Sequence, residues 1–156
     1  EAHPLALLIR TNFYGWGTGY RRSFSDMILD KLRDNRKISL FQDVFYTPIL
    51  VETLARTAHD LLDLKVTGIV NIVGDERISK YEFGIKIAEE FGLDPGLIKP
   101  GLLADRVALV QRPRDMSLSN QKACKLLGRQ LGGVSAHLAR LHQQERSGLA
   151  RVIQSL

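Results

Sequence analysis

The chain has 156 residues, of which 44% are apolar and 25% charged, a balance that excludes a disordered chain and fits one globular domain. The formal net charge is +5, but the basic residues occur in scattered pairs such as Arg21 and Arg22 among 17 acidic residues, so no nucleic-acid partner is expected. No apolar run approaches the roughly 20 residues of a membrane helix and the first residues lack a signal-peptide layout, so we expect a cytoplasmic protein without a membrane partner.

Short apolar runs predict the strands. Residues 5–9 form an apolar run between Pro4 and Gly15, which predicts a buried, parallel strand. Further short strands are predicted at residues 38–41, 69–73 and 97–103, and residues 107–110 are also strand-like. Residues 43–48 are predicted to form a turn.

Helices are predicted between these strands. Ser23 is expected to cap a helix that presents Phe24, Met27, Ile28 and Leu32 on one face. Apolar residues at helical spacing predict a helix over residues 49–64, with Glu52 and Arg56 as a solvent-side pair. Ser79 and Glu82 have capping-box spacing, and this helix should end at Gly92. The last helices are predicted from Ser119 to Leu127 and over residues 134–156, divided at Ser147-Gly148.

Strand and helix alternate along the chain, which predicts the α/β class. The strands are few and short for a free-standing parallel sheet. No internal repeat or low-complexity segment is present.

Several kinds of chemistry lack a supporting motif. The four histidines, His3, His59, His137 and His142, have no i,i+4 pair and no cysteine at ligand spacing, so no metal is expected. No G-x-S-x-G elbow, no glycine fingerprint for a dinucleotide and no Tyr-x-x-x-Lys pair occurs. Cys124 has no partner for an internal disulfide and is expected to be a half-buried side chain near a helix end.

A glycine-rich loop follows the first predicted strand. Open α/β sheets bind ligands beyond the carboxyl ends of their strands, so this loop is a candidate substrate-binding segment. Asn12 offers an amide donor and acceptor there, while Phe13, Tyr14 and Trp16 offer flat faces for a base or a sugar ring. The alternative is an ordinary turn whose aromatic side chains belong to the core.

Arg112 precedes Pro113 and follows the strand-like residues 107–110. The proline restricts the backbone beside Arg112, and a held guanidinium group is suited to bidentate contact with a phosphate. The alternative is a solvated loop arginine.

The order of these motifs along the chain resembles that of a known enzyme family. Five motifs resemble the C-terminal half of an extended short-chain dehydrogenase/reductase acting on nucleotide sugars. They are Asn12-Phe13-Tyr14-Gly15, the Phe24–Leu29 helix, Asp43 to Pro48 followed by a Leu-Ala helix, Asn71-Ile72-Val73-Gly74 before the Ser79 cap, and Arg112-Pro113. The subfamily they resemble most is dTDP-4-dehydrorhamnose reductase. The resemblance covers residues 5–128. It implies the C-terminal part of a Rossmann-like fold, with few short, mostly parallel strands, helices and a small substrate-binding subdomain.

The resemblance implies roles for individual residues. Asn12 matches the asparagine that lies where nicotinamide and sugar meet, and Arg112 matches the arginine that grips the nucleotide diphosphate. The implied substrate-binding set is Asn12, Phe13, Tyr14, Trp16, Phe24 and Arg112, with no catalytic residue in this chain. Residues 1–128 would form the nucleotide-sugar-binding half and residues 129–156 a C-terminal helical extension. Two features depart from the pattern: Arg10 lies one residue closer to Asn12 than in many relatives, and Arg114-Asp115 adds charge after the proline.

The resemblance also implies what a complete protein would contain. The glycine fingerprint, the catalytic Ser/Thr and the Tyr-x-x-x-Lys precede the matching region in the family, so NAD(P) is expected in a full-length protein and no cofactor is expected for this chain alone. The implied reaction is reduction of a keto-sugar nucleotide, with a nucleotide sugar as partner and a homodimer as a further possibility. An epimerase or dehydratase, and a non-catalytic regulatory module of the same fold, are the alternatives.

Overall fold

The structure is a computed structural model that describes residues 5–105 and 113–156. Short strands and helices alternate along these residues, which confirms the α/β class. The predicted strand at residues 107–110 lies outside the described residues. Within the described part of the chain, no helix is long and apolar enough to cross a membrane.

The strands pair two by two, and three of the four pairs are parallel. The parallel pairs are β1 (Leu7–Arg10) with β6 (Gly68–Asn71), β2 (Phe13–Tyr14) with β5 (Ile49–Leu50), and β3 (Ile38–Phe41) with β8 (Ile98–Gly101). The antiparallel pair is β4 (Phe45–Tyr46) with β7 (Ile78–Ser79).

The helices surround these strand pairs. They are α1 (Phe24–Arg33), α2 (Val51–Asp63), α3 (Lys80–Glu90), α4 (Gln121–Leu127), α5 (Val134–Arg146) and α6 (Leu149–Gln154). Two 3-10 turns cover Pro95–Leu97 and Leu103–Asp105.

Both serine caps are confirmed. Ser79 Oγ accepts a hydrogen bond from the backbone N–H of Glu82 at 3.1 Å, and the Glu82 carboxylate accepts one from the Ser79 N–H at 2.9 Å. Ser23 and Asp26 form the same reciprocal arrangement at the start of α1. Each box satisfies two backbone donors that the first helical turn leaves free.

The predicted helix at residues 49–64 and the predicted turn at residues 43–48 differ from the structure, because some of their residues form strand pairs instead. Ile49 and Leu50 pair with β2, so α2 begins at Val51. The predicted turn at residues 43–48 contains β4, which pairs with β7. The helix expected from Ser119 begins at Gln121, with Asn120 at the N-cap position, where its side-chain amide donates to the Asp75 carboxylate at 2.6 Å.

The main core surrounds α3. Phe83 is fully buried there, and side chains of α1, β3, α5 and α6 belong to the same cluster. Residues 134–146 and 149–154 thus contribute to this core through α5 and α6. A methyl group at Gly84 would overlap Leu40 Cδ1, so this glycine permits the close packing of α3 on β3.

Glu52 connects α2 to α5. The expected pair with Arg56 is present at 2.8 Å, but the prediction that it lies on the solvent side was incomplete. The Glu52 carboxylate also accepts hydrogen bonds from Arg140 at 2.9 Å and from Gln144 at 2.6 Å. The bond from Arg140, followed by those from Gln144 and Arg56, lowers the pKa of Glu52 from 4.5 to about 2.

This network predicts an acid-sensitive contribution to stability. Because the pKa of Glu52 is lower in the folded state, the contribution is present above pH 4.5 and is lost as the pH falls toward 2. We expect Glu52→Gln to flatten the decline of the free energy of unfolding between these values, as measured by urea unfolding at several pH values. Glu89→Gln, at an exposed position of α3, is the matched control. Equal declines in Glu52→Gln and wild type would contradict the assignment.

Candidate substrate-binding site

An open pocket of about 470 Å³ lies between α1, β3, the start of α3 and residues 113–116; we call it the α1–β3 pocket. Among the described residues, its lining is apolar except for Ser39 and Lys80. The lining residues are Phe24, Met27, Ile38, Ser39, Leu40, Phe41, Val44, Lys80, Leu103, Pro113 and Met116. A largely apolar, concave site with few polar groups is the usual form of a small-molecule site.

A second cavity of about 440 Å³ lies along the glycine-rich loop; we call it the loop pocket. It is lined by residues 13–18 and 20–24 together with Val51. Phe24 lines both pockets, so its ring lies at their shared wall. The Phe24 ring stacks on Phe83 with 6.1 Å between ring centroids and 13° between planes, which fixes its orientation.

Lys80 is the charged residue among the described residues that line the α1–β3 pocket, and the sequence motifs do not single it out. Its Nζ lies 3.4 Å from the ring centroid of Tyr46 and 4.5 Å from that of Phe24. Burial lowers the pKa of this ammonium group to about 8. A lysine at the first position of a capped helix ordinarily points to solvent, so its sequence context carried no signal of this environment.

The segment that follows Arg112 is attached to the rest of the site by backbone and side-chain contacts. Phe45 N donates to Arg114 O at 2.8 Å, and Met116 N donates to Phe45 O at 2.9 Å. Asn12 Nδ2 donates to Met116 O at 3.0 Å. Asn12 therefore joins the glycine-rich loop to the segment beside Arg112, two regions that the sequence placed in one site.

Arg112 itself lies outside the described residues. Its neighbour Pro113 lines the α1–β3 pocket. The phosphate-binding role expected for Arg112 therefore stays a prediction.

Asp115, one of the two charged residues that follow Pro113, forms an ion pair with Arg77. Arg77 donates to the Asp115 carboxylate at 2.9 Å, and its guanidinium lies 3.8 Å from the ring centroid of Phe45. Hydrogen bonds from Ser117, and then from Arg77, lower the pKa of Asp115 to about 2. The acidic residue noted as a departure from the family pattern thus helps to position the segment.

The aromatic residues of the loop separate into two groups. Tyr14 and Trp16 are buried, with 3% and 7% of their surfaces exposed. Tyr14 packs edge-on against Phe83 at 4.8 Å, and Trp16 Nε1 donates to Leu141 O at 3.3 Å. Both rings belong to the core, as in the alternative that the loop is an ordinary turn with core aromatic residues. Both also border the loop pocket. Phe13 is 62% exposed and keeps a free face.

Two backbone donors at the glycine-rich loop are bound to Asp26 within the chain. Gly17 N donates to Asp26 Oδ2 at 2.7 Å, and Ser23 N donates to the same oxygen at 2.9 Å. Since the buried Asp26 carboxylate occupies these backbone donors, they are not available to a phosphate. A methyl group at Gly17 would overlap the carbonyl oxygen of Arg21, so this glycine serves internal packing rather than an open cradle.

Comparisons with known proteins agree with this architecture. The sequence is 31% identical over 117 residues to a probable low-salt glycan biosynthesis reductase of Haloferax volcanii. The aligned region covers 73% of this chain and 39% of that protein. The fold is similar to the dTDP-4-dehydrorhamnose reductase of Bacillus anthracis solved with NADP, with a TM-score of 0.78, 20% identity and coverage of 88% of this chain and 48% of that one. It is also similar to a hypothetical dTDP-4-dehydrorhamnose reductase from Sulfolobus tokodaii, with a TM-score of 0.70, 31% identity and coverage of 83% and 45%.

The chain spans less than half the length of each of these relatives. The profile of the RmlD substrate binding domain matches residues 1–147, nearly the whole chain. The chain therefore belongs to the RmlD substrate binding domain family.

Proposed function

We propose that this chain is the nucleotide-sugar-binding half of an NAD(P)-dependent sugar-nucleotide reductase of the dTDP-4-dehydrorhamnose reductase type. The observation that carries the proposal is the α1–β3 pocket, where Phe24, strand β3 and Pro113 meet. Its apolar walls suit the flat ring of a nucleoside. The adjoining loop pocket, bordered by Phe13 and Phe24, is the proposed position of the sugar.

We favour the reductase over the epimerase, dehydratase and regulatory alternatives. The two relatives that are 31% identical to this chain over the aligned region are both named as reductases. The cofactor belongs to the full-length protein in this proposal, because the sequence of this chain carries no dinucleotide fingerprint and Asp26 occupies two backbone donors of its glycine-rich loop. Action in the cytoplasm is part of the same proposal and agrees with a half-buried, free Cys124.

An exposed apolar surface supports the assignment to one half of a larger protein. Leu8 and Ile69 are paired on the parallel strands β1 and β6, yet 48% and 54% of their surfaces are exposed. Parallel sheets are ordinarily covered on both faces. We propose that the cofactor-binding half covers these strands, and a second copy of the chain is the alternative.

Arg112→Ala tests the proposed position of the diphosphate. A charge-assisted hydrogen bond contributes roughly 1.5–3 kcal/mol, so the dissociation constant for dTDP should rise by roughly 10- to 100-fold. Isothermal titration calorimetry measures the change. Arg114→Ala is the matched control, because Arg114 is exposed and its Nε lies 3.9 Å from Asp43. Equal weakening by both variants would point to a general loss of positive charge instead of a specific contact.

A further inference from the structure

We infer that Lys80 is a specificity-determining residue of the α1–β3 pocket and that its ammonium group selects nucleosides whose flat ring carries carbonyl oxygens. The inference rests on the proposed function, since it concerns the ring that this pocket would hold. Lys80 lies within the Ser79–Glu82 capping box, but the box itself uses only the serine and the glutamate.

Two aromatic rings hold the ammonium group of Lys80 at the wall of the pocket. The Lys80 Nζ is held over the ring faces of Tyr46 and Phe24, and Tyr46 is itself almost fully buried. Aromatic faces attract a cation without neutralising it. The charge of Lys80 is thus stabilised at the pocket wall and remains available to a ligand.

Lys80 has no acidic partner among the described residues. Over residues 5–105 and 113–156, no carboxylate forms an ion pair with Lys80. The carboxylate of Asp43 instead accepts a hydrogen bond from Leu103 N at 2.9 Å, and Asp26 Oδ2 accepts from Gly17 and Ser23. An unpaired ammonium group beside an apolar cavity is costly to keep, so a ligand acceptor is the natural partner.

The surroundings of Lys80 favour a carbonyl oxygen over a phosphate. Among the described lining residues, Ser39 is the other polar residue beside Lys80. The proposed function assigns the diphosphate to Arg112, which leaves the ring as the part of the ligand expected at Lys80. A neutral carbonyl oxygen needs one or two donors. Lysine offers three donors and no acceptor, so it also disfavours a ring edge that presents amino groups.

Lys80→Met tests the role, because methionine keeps an unbranched stem and removes the charge. The wild-type chain and the variant would be titrated with thymidine and with dTDP by calorimetry. We expect both ligands to bind about tenfold more weakly to the variant, because the lost contact lies on the ring that they share. The preference for thymidine over 2′-deoxyadenosine, whose ring has no carbonyl oxygen, should also decrease.

Thermal unfolding gives a readout that a merely structural role would not produce. Lys80→Met should melt close to the wild-type temperature while affinity falls, because the loss of the contacts with Tyr46 and Phe24 offsets the relief of a buried charge. Lys86→Met is the matched control, since Lys86 lies on the same helix and outside the α1–β3 pocket. It should leave the affinity for both ligands unchanged.

The outcomes separate this inference from the proposed function. If Lys80→Met weakens dTDP but not thymidine, the ammonium group contacts a phosphate and the inference is overturned. If wild type binds both ligands and the variant binds them equally well, Lys80 selects nothing, although the proposed function stands. If wild type binds neither ligand, the proposed function fails and the inference fails with it.

Discussion

Met27→Trp is expected to weaken dTDP binding by about two orders of magnitude, or roughly 2.8 kcal/mol. Met27 lies on the wall of the α1–β3 pocket and is 49% exposed. An indole at this position would fill space that the proposed nucleoside ring needs. Calorimetric titration with dTDP measures the loss of affinity.

Folding should be little affected by this variant, because substitutions at half-exposed helix positions outside the core change stability by about 0.5 kcal/mol or less. Met27→Leu, which keeps a similar volume, is the control and should bind dTDP as wild type does. Normal affinity in folded Met27→Trp would show that the nucleotide binds elsewhere.

Phe83→Ala is expected to lower the free energy of unfolding by roughly 3–5 kcal/mol, the usual cost of truncating a fully buried phenylalanine. The Phe83 ring is completely buried, and its centroid lies 4.8 Å from that of Tyr14 and 5.7 Å from that of Tyr46. Phe24 stacks on the same ring, so the cavity would also loosen the wall of the α1–β3 pocket. Urea unfolding measures the loss of stability.

Tyr20→Ala is the matched control for truncation of an aromatic residue, because Tyr20 is 84% exposed. It should unfold at nearly the same urea concentration as wild type. A loss below about 1 kcal/mol in Phe83→Ala would contradict a core organised around α3.

Local patterns predicted much of the fold. Strand β3 was predicted with the bounds that the structure has, the Ser79–Glu82 box follows from its spacing, and Ser23 was predicted as a cap, although its partner Asp26 was not. Such features depend on residues within one or two helical turns, so the sequence displays them directly. Ser147-Gly148 separates α5 from α6 as predicted, with Gly148 at a φ of 85°.

Contacts between distant residues could not be predicted in this way. The helical pattern of Ile49 and Leu50 yields to pairing with β2, more than thirty residues earlier in the chain. The Glu52 network depends on α5, and the Lys80 environment depends on Tyr46 and Phe24. Each of these requires the tertiary arrangement, which no local spacing encodes.

Asn12 shows the same limit within the candidate site. The sequence indicated an amide that binds the substrate directly, whereas in the structure its Nδ2 donates to Met116 O. Contact between Asn12 and a sugar nucleotide stays a prediction. Asn12 can also influence binding indirectly. Its hydrogen bond to Met116 holds the segment that contains Met116, and Met116 lines the pocket.

The central claim is that the nucleotide occupies the α1–β3 pocket, and methionine methyl NMR tests it most directly. The sequence contains two methionines, Met27 and Met116, and both line this pocket. With 13C-labelled methionine methyl groups, titration with dTDP should shift both signals along one binding curve, while NADPH at the same concentrations should shift neither. Binding of dTDP seen by calorimetry without a shift of either methyl signal would contradict the account.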